Sequence, residues 1–462
     1  MLSYHCTLLL AWCASSCNCI ASRSTESGLT APLDVHNSVR VPSPDVIAPH
    51  YSVLKSKVRK GRSSFAKRSG HVQSVINDPS GANWYTEVDL NGQKFEFMID
   101  TGSADTWILK DGFVCTNGTA TQPQSYCGSA PYFKGTLSGG QIKTENFNAS
   151  YSSGEFLSGT VGYEKVTIAG ITVAKQLIGL VDYAYWPAGA VGLLGLAYPG
   201  VERGVWNGSI SSADGDGNPA HDRVPYSSIF HSMWSEGLVA PSFSLALPRG
   251  HPSSEDEGYI AFGSLPPVEV EGHFTPTPIV LTPHYSTTAL SEYAINIDAT
   301  YFSSHTNTTD TGGNTIIDSG TVTINARNEV ADAYNKLFDP PAINPPDLGI
   351  YIIQCNATGP KVPFVVKIAG TEFKLPGESF VLSDVVLSEN GVTGEYGDYC
   401  FSGIQETGVW NAEQTYVIVT LVMFDSILIA DSFINLGRPF LENVVAVFDV
   451  GAGEMRFAQR KY

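Results

Sequence analysis

The sequence predicts an all-β dominated protein made of two similar β-rich lobes with a cleft between them. Three observations lead there. First, Asp100-Thr101-Gly102-Ser103 recurs as Asp318-Ser319-Gly320-Thr321, behind the apolar pairs Met98-Ile99 and Ile316-Ile317. Second, each copy is followed far downstream by a segment ending in glycine, Leu193-Leu194-Gly195 and the less regular Asn435-Leu436-Gly437. Third, short runs rich in Val, Ile, Tyr, Phe and Thr, at 161–168, 243–247 and 444–448, are punctuated by Gly, Ser, Asn and Asp, the mark of strands and turns. One unit is written twice, with an aspartate at the same point in each copy.

Along the chain, Thr7 to Ala14 is a short apolar run followed by small residues up to Ala21, which fits a signal peptide over 1–21 and is too short to span a bilayer. No Lys or Arg precedes that run. Residues 22–68 read as a propeptide whose latter part is basic (Lys55, Lys57, Arg59, Lys60 and Arg62) and which ends at the dibasic pair Lys67-Arg68, a processing site. The first lobe is expected over 69–268 and the second over 269–462, with the seam running through Leu265-Pro266-Pro267 to Pro278. That length is enough for two cores. Two helices are expected. Ser227 to Glu236 carries Ile229, Phe230, Met233 and Trp234 ahead of Gly237, and Asn328 to Phe338 carries Val330, Tyr334 and Leu337 on one face. No apolar tail follows Asp449, so no stable membrane anchor is expected.

Paired aspartates on twin loops suit peptide hydrolysis without a covalent intermediate. One carboxylate can deprotonate a water but cannot also protonate the scissile carbonyl. Two carboxyls a few ångströms apart share one proton over a broad acid range, because both cannot ionise. The charged member serves as general base and the protonated one as general acid, and the pair titrates as a unit. The aspartic protease is the standard instance of such a dyad. Gly102 and Gly320 let the backbones approach, and the neighbouring hydroxyls can hold the carboxylates.

These residues resemble the pepsin-type aspartic proteases, of the fungal secreted or vacuolar kind, over nearly all of 82–459. The resemblance implies a bilobal pepsin-like acid protease fold, with Asp100 and Asp318 as the catalytic pair. It places Ser103 and Thr321 on the outer carboxylate oxygens, and Thr101 and Ser319 on an inner pair crossing between the lobes. Tyr151, in Tyr151-Ser152-Ser153-Gly154, matches the tyrosine of a hairpin flap that closes over substrate, and Trp107 the indole that partners it. Trp84 to Val88 reads like the family's first strand, and the segments from Leu194 and from Leu436 like its crossing strands. Two positions depart from the pattern. Ser152 stands where Gly is usual, and Arg438 where Asp is usual; a cation there would lower the apparent pKa values of the dyad.

Cysteines and charge agree with export. Cys6, Cys13, Cys17 and Cys19 fall in the expected signal, which leaves Cys115, Cys127, Cys355 and Cys400 as one nearby pair per lobe. The pairings Cys115–Cys127 and Cys355–Cys400 match the resemblance. Asn117, Asn148, Asn207, Asn307 and Asn356 head Asn-x-Ser/Thr glycosylation sequons. Residues 1–68 hold nine basic and three acidic side chains, a net of +6, while the rest of the −18 chain carries −24. A basic leader can dock on an acidic body at neutral pH and let go as carboxylates protonate. The acidic body argues against nucleic acid and anionic membrane as partners.

No His-Glu-x-x-His pair, Gly-x-Ser-x-Gly elbow or phosphate-binding glycine loop is present, and no metal or cofactor is implied. The expected function is therefore an acid endopeptidase that cleaves protein or peptide substrates between bulky apolar residues. Its own propeptide is its inhibitor, and it is a monomer, since both aspartates lie in one chain. Secretion to the exterior is expected, with the vacuole as the alternative address. The competing class is a binding or inhibitor protein that keeps the fold without hydrolysis, and the intact set of site residues argues against it.

Overall fold

In the computed structural model, residues 71–77, 83–151, 155–187, 189–199, 204–208, 223–249, 256–282, 290–302, 314–387, 394–406 and 434–462 are described, and all that follows concerns them. Strands dominate, as the residue pattern predicts. Of the three runs singled out above, 161–168 and 444–448 lie in the strands Phe156–Ile168 and Val444–Asp449, and 243–247 overlaps the strand Phe243–Ala246, with Leu247 just past its end. The fold is β-rich and bilobal, with each aspartate at the end of its own strand system.

In the first half, Trp84–Leu90 and Gln93–Asp100 form a hairpin in register, so that Phe95 and Phe97 point inward and Glu96 outward. Gln93–Asp100 runs parallel to Gly192–Gly195, which in turn lies antiparallel to Thr106–Thr116. The crossing strand is thus clasped between the two arms of the aspartate loop. The second half repeats this arrangement. Asn314–Ile317 runs parallel to Ile434–Leu436, which lies antiparallel to Ile324–Ala326. A further repeat lies outside both motifs. Ile168-Ala169-Gly170-Ile171 and Ile368-Ala369-Gly370-Thr371 both close hairpins through two residues with positive φ (52° and 75°, 46° and 81°). Such a turn matches the twist of the strands it joins.

The expected seam holds a strand. Val270–Pro278 pairs with Glu454–Arg460, with a bulge between Glu271 and Thr275. Its prolines are tolerated because it lies at the end of its sheet. Next to it run Val444–Asp449, Phe243–Ala246, Gly258–Phe262 and His71–Asn77, so a strand near the end of the chain joins the sheet that holds its first described strand. Phe243 stacks on Phe448 with ring centres 4.4 Å apart, and the Tyr293 hydroxyl donates to the Leu196 carbonyl at 2.9 Å. Apolar burial is the main stabilising term in such a sheet.

Both helices form, and both are shorter than the sequence pattern suggests. The first covers Ile229–Ser235 and buries Ile229, Phe230, His231 and Met233. The second covers Asn328–Asn335, and there the expectation for Leu337 fails. The chain leaves the helix before Leu337, which is 42% exposed, and Phe338 is buried instead.

Candidate active site

Asp100 closes the strand Gln93–Asp100 and Asp318 follows Asn314–Ile317, so sheet pairing fixes both backbones. The two loops hold their carboxylates in the same way. Asp100 Oδ1 accepts from the Gly102 N–H at 2.8 Å and its Oδ2 from the Ser103 hydroxyl. Asp318 Oδ1 accepts from the Gly320 N–H at 2.7 Å and its Oδ2 from the Thr321 hydroxyl at 2.5 Å.

The loops also hold each other. The Thr101 N–H donates to Ser319 Oγ at 3.0 Å, and the Ser319 N–H donates to Thr101 Oγ1 at 2.9 Å. Each hydroxyl then passes its proton onward, Thr101 to the Ile317 carbonyl at 2.9 Å and Ser319 to the Ile99 carbonyl at 2.8 Å. Every member of this buried network is satisfied, which makes it rigid. The glycines are required by the close approach. A Cβ on Gly102 would sit 2.6 Å from Asp318 Oδ1, and one on Gly320 2.7 Å from Asp100 Oδ1.

Both carboxyls are pushed up from the ordinary range. For Asp100 the main cause is burial, followed by the charge of Asp318, with the Ser103 and Gly102 donors opposing. For Asp318 the main cause is again burial, opposed by the Thr321 and Gly320 donors, by Asp100 and by the nearby Asn435 amide. The effect expected of Arg438 is therefore corrected. Its guanidinium is buried 3.5 Å from Glu442, one turn along the same short helix, so it brings its own counter-charge, and burial decides the direction at the dyad.

Tyr151 lies at the turn end of a hairpin whose strands, Glu145–Ser150 and Phe156–Ile168, are joined there by its N–H donating to the Glu155 carbonyl at 2.9 Å. The Trp107 indole donates to the Tyr151 hydroxyl at 2.8 Å. Ser152, Ser153 and Gly154 lie outside the described residues. The disulfides Cys115–Cys127 and Cys355–Cys400 are formed. Among the sequons, Asn207 and Asn356 are exposed, Asn117 and Asn148 half-buried, and Asn307 lies outside the described residues, as do Lys67 and Arg68.

Three further residues shape the site, and the sequence gives them little or no signal. Trp186 is fully buried and packs on Trp107 at 5.0 Å and on Tyr151 at 5.1 Å between ring centres. Asp105 accepts from the Tyr226 hydroxyl at 2.7 Å and the Gly204 N–H at 3.1 Å, which ties down the chain just past the first loop. Asn435 donates to the Thr321 hydroxyl oxygen at 3.0 Å. No fixed spacing links Trp186 or Asp105 to the repeated motif. Asn435 left one trace, the irregular second glycine segment.

The chain is similar to known proteases over this whole region. It is 33% identical to a probable aspartic-type endopeptidase of Aspergillus fumigatus, over 97% of this chain and 98% of the other. It is 24% identical to barrierpepsin of Saccharomyces cerevisiae, over 85% of this chain and 63% of that protein. It is 25% identical to secreted aspartic protease 8 of Candida albicans, over 86% and 80% of the two chains. The model of the eukaryotic aspartyl protease family matches residues 84–460, a span holding both aspartate loops, both crossing strands and both disulfides, and the chain belongs to that family.

Proposed function

We propose that this aspartic protease is an acid endopeptidase in which Asp100 and Asp318 activate a water between them. The reciprocal bonding of the two loops carries the reading. It brings two buried carboxyls together, each with one oxygen held by a backbone N–H and the other by a hydroxyl. The ionised carboxyl takes a proton from the water as its oxygen bonds to the scissile carbonyl carbon, and the protonated carboxyl gives its proton to the carbonyl oxygen. Collapse of the tetrahedral diol breaks the C–N bond: one diol hydroxyl gives its proton to the ionised carboxyl while the leaving nitrogen takes the proton of the other, which restores the singly protonated pair. Tyr151 covers the bound chain, with Trp107 holding its hydroxyl. The half-buried Tyr151 ring, backed by the buried Trp107, favours bulky apolar side chains on either side of the cut bond.

We further propose that residues 1–21 direct export, that 22–68 form an inhibitory leader released after Arg68, and that the lobes divide near 268. The mature protein is then a secreted glycosylated monomer. The secreted relative in Candida and the charge contrast between leader and body support this reading.

Asp100→Asn and Asp318→Asn test the mechanism. An amide is nearly isosteric with the carboxyl but cannot exchange the shared proton. Each variant should fold and lose at least about a thousandfold in hydrolysis of a denatured protein at about pH 3 to 5. Activity within tenfold of wild type in either would sink the assignment. A statine-type mimic, whose hydroxyl replaces the attacking water, should inhibit the wild type.

Lys67-Arg68 changed to Ala-Ala tests the leader. Carboxylates paired with it have depressed pKa values in the precursor, so docking persists above those values and is lost as pH falls through them. The variant should stay unprocessed and inactive near neutral pH and convert slowly in acid. A precursor fully active at neutral pH with its leader attached would remove the inhibitory role.

A further inference from the structure

The two aspartate loops are near copies, and the copy fails at one place beside the carboxyls. In the first lobe Met98 and Ile99 stand opposite Leu193 and Leu194; in the second, Ile316 and Ile317 stand opposite Asn435 and Leu436. Asn435 therefore occupies the place that Leu193 holds in the first lobe. Leu193 is fully buried and has nothing to donate. Asn435 donates from Nδ2 to Thr321 Oγ1 at 3.0 Å, and Thr321 donates to Asp318 Oδ2 at 2.5 Å. The Thr321 hydroxyl has one proton, committed to the carboxylate, so toward Asn435 it can only accept. That fixes the amide with its nitrogen toward the dyad.

We propose that Asn435 is a positioning residue that makes the dyad asymmetric, holding Asp318 as the ionised base and leaving the shared proton on Asp100. The inference rests on the hydrolytic reading above. A donor relayed through Thr321 favours the charged form of Asp318, and Ser103 has no such donor behind it on the crossing strand. Asp105 and Glu155 lie in the first lobe, both close enough to Tyr151 to disfavour its ionisation. On the Asp318 side the buried charges are Arg438 and Glu442, which meet each other.

The test is Asn435→Leu, which installs the residue of the first lobe, with kcat/KM of the mature enzyme followed from about pH 2 to 7. Loss of the donor raises the Asp318 pKa. The acid limb reports the first deprotonation of the pair, so it should move up by about one pH unit, with KM and Tm little changed. Asn435→Ser, too short to reach Thr321, should shift it the same way and decides the matter if the leucine variant fails to fold. An acid limb unmoved in the folded variants, with Asp100→Asn and Asp318→Asn inactive, overturns the role of Asn435 and leaves the hydrolytic reading standing. Activity in those two aspartate variants removes the hydrolytic reading and the inference together.

Discussion

The first lobe carries Asp100 in a sheet that runs on through the hairpin of Tyr151, while the second carries Asp318 in a separate five-stranded sheet. Within the loops the two lobes agree almost atom for atom. Away from them, agreement persists in the Ala-Gly hairpin turns and in the clasped crossing strands, and then stops. The hairpin of Tyr151, with Trp107 and Trp186 behind it, belongs to the first lobe. The duplicate is thus kept where each lobe must bind the other, as in the exchange between Thr101 and Ser319. A bond made across the molecule constrains both copies at once, whereas a contact made inside one lobe constrains only that lobe.

The disulfides should show the lobes as unequal. The Cys355–Cys400 pair spans 45 residues and the Cys115–Cys127 pair 12, so loop-entropy arithmetic gives about 4 and about 3 kcal/mol respectively. Denaturant unfolding of the two paired Cys→Ala variants should rank them in that order. The reverse ranking would mean that packing around the smaller ring outweighs chain entropy. Acid should also act unequally. Burial pushes His231, in the first lobe, down to about 3. Its folded pKa lies below the unfolded value, so the stability it contributes is complete above about pH 6.5 and is lost as pH falls toward 3. At pH 4 the loss is ~3 kcal/mol, and His231→Phe should flatten the fall of Tm between pH 6.5 and 4. An unchanged slope would show that His231 is not what acid titrates.

Inside the loops the comparison predicts equality. Gly102→Ala and Gly320→Ala each push a methyl group against the opposing carboxyl, and each should cost about a hundredfold in kcat by misplacing it. One harmless variant beside one damaging variant would break the pseudo-symmetry. The smallest effect belongs to the aromatic group found only in the first lobe. Tyr151→Ala should lower kcat/KM about tenfold with little change in Tm, since the residue works on the bound chain. Trp186→Leu should hurt wild type but add nothing to Tyr151→Ala if Trp186 acts by holding that ring. Independent losses would make Trp186 an ordinary core residue.

The family resemblance pointed to the aromatic partners Tyr151 and Trp107, and the residues themselves determined the twin loops, the strand-dominated fold and the cysteine pairs. Each of these rests on residue types that a local geometry demands: Gly where two backbones close in, Asp and a hydroxyl three residues apart, alternation along a strand. Helix ends were read less well, because the turn that excludes Leu337 from its helix is set by what Phe338 packs into. The sequence reading also gave Arg438 an effect on the dyad that its neighbour Glu442 absorbs, although the i,i+4 spacing was there to see. The rest was decided by tertiary structure. The strand Val444–Asp449 pairs with the distant Phe243–Ala246, Trp186 reaches Tyr151, and Asn435 meets Thr321 across 114 residues of sequence. Those contacts join segments that no local pattern links, so only the folded chain, by bringing distant surfaces out of water together, selects them.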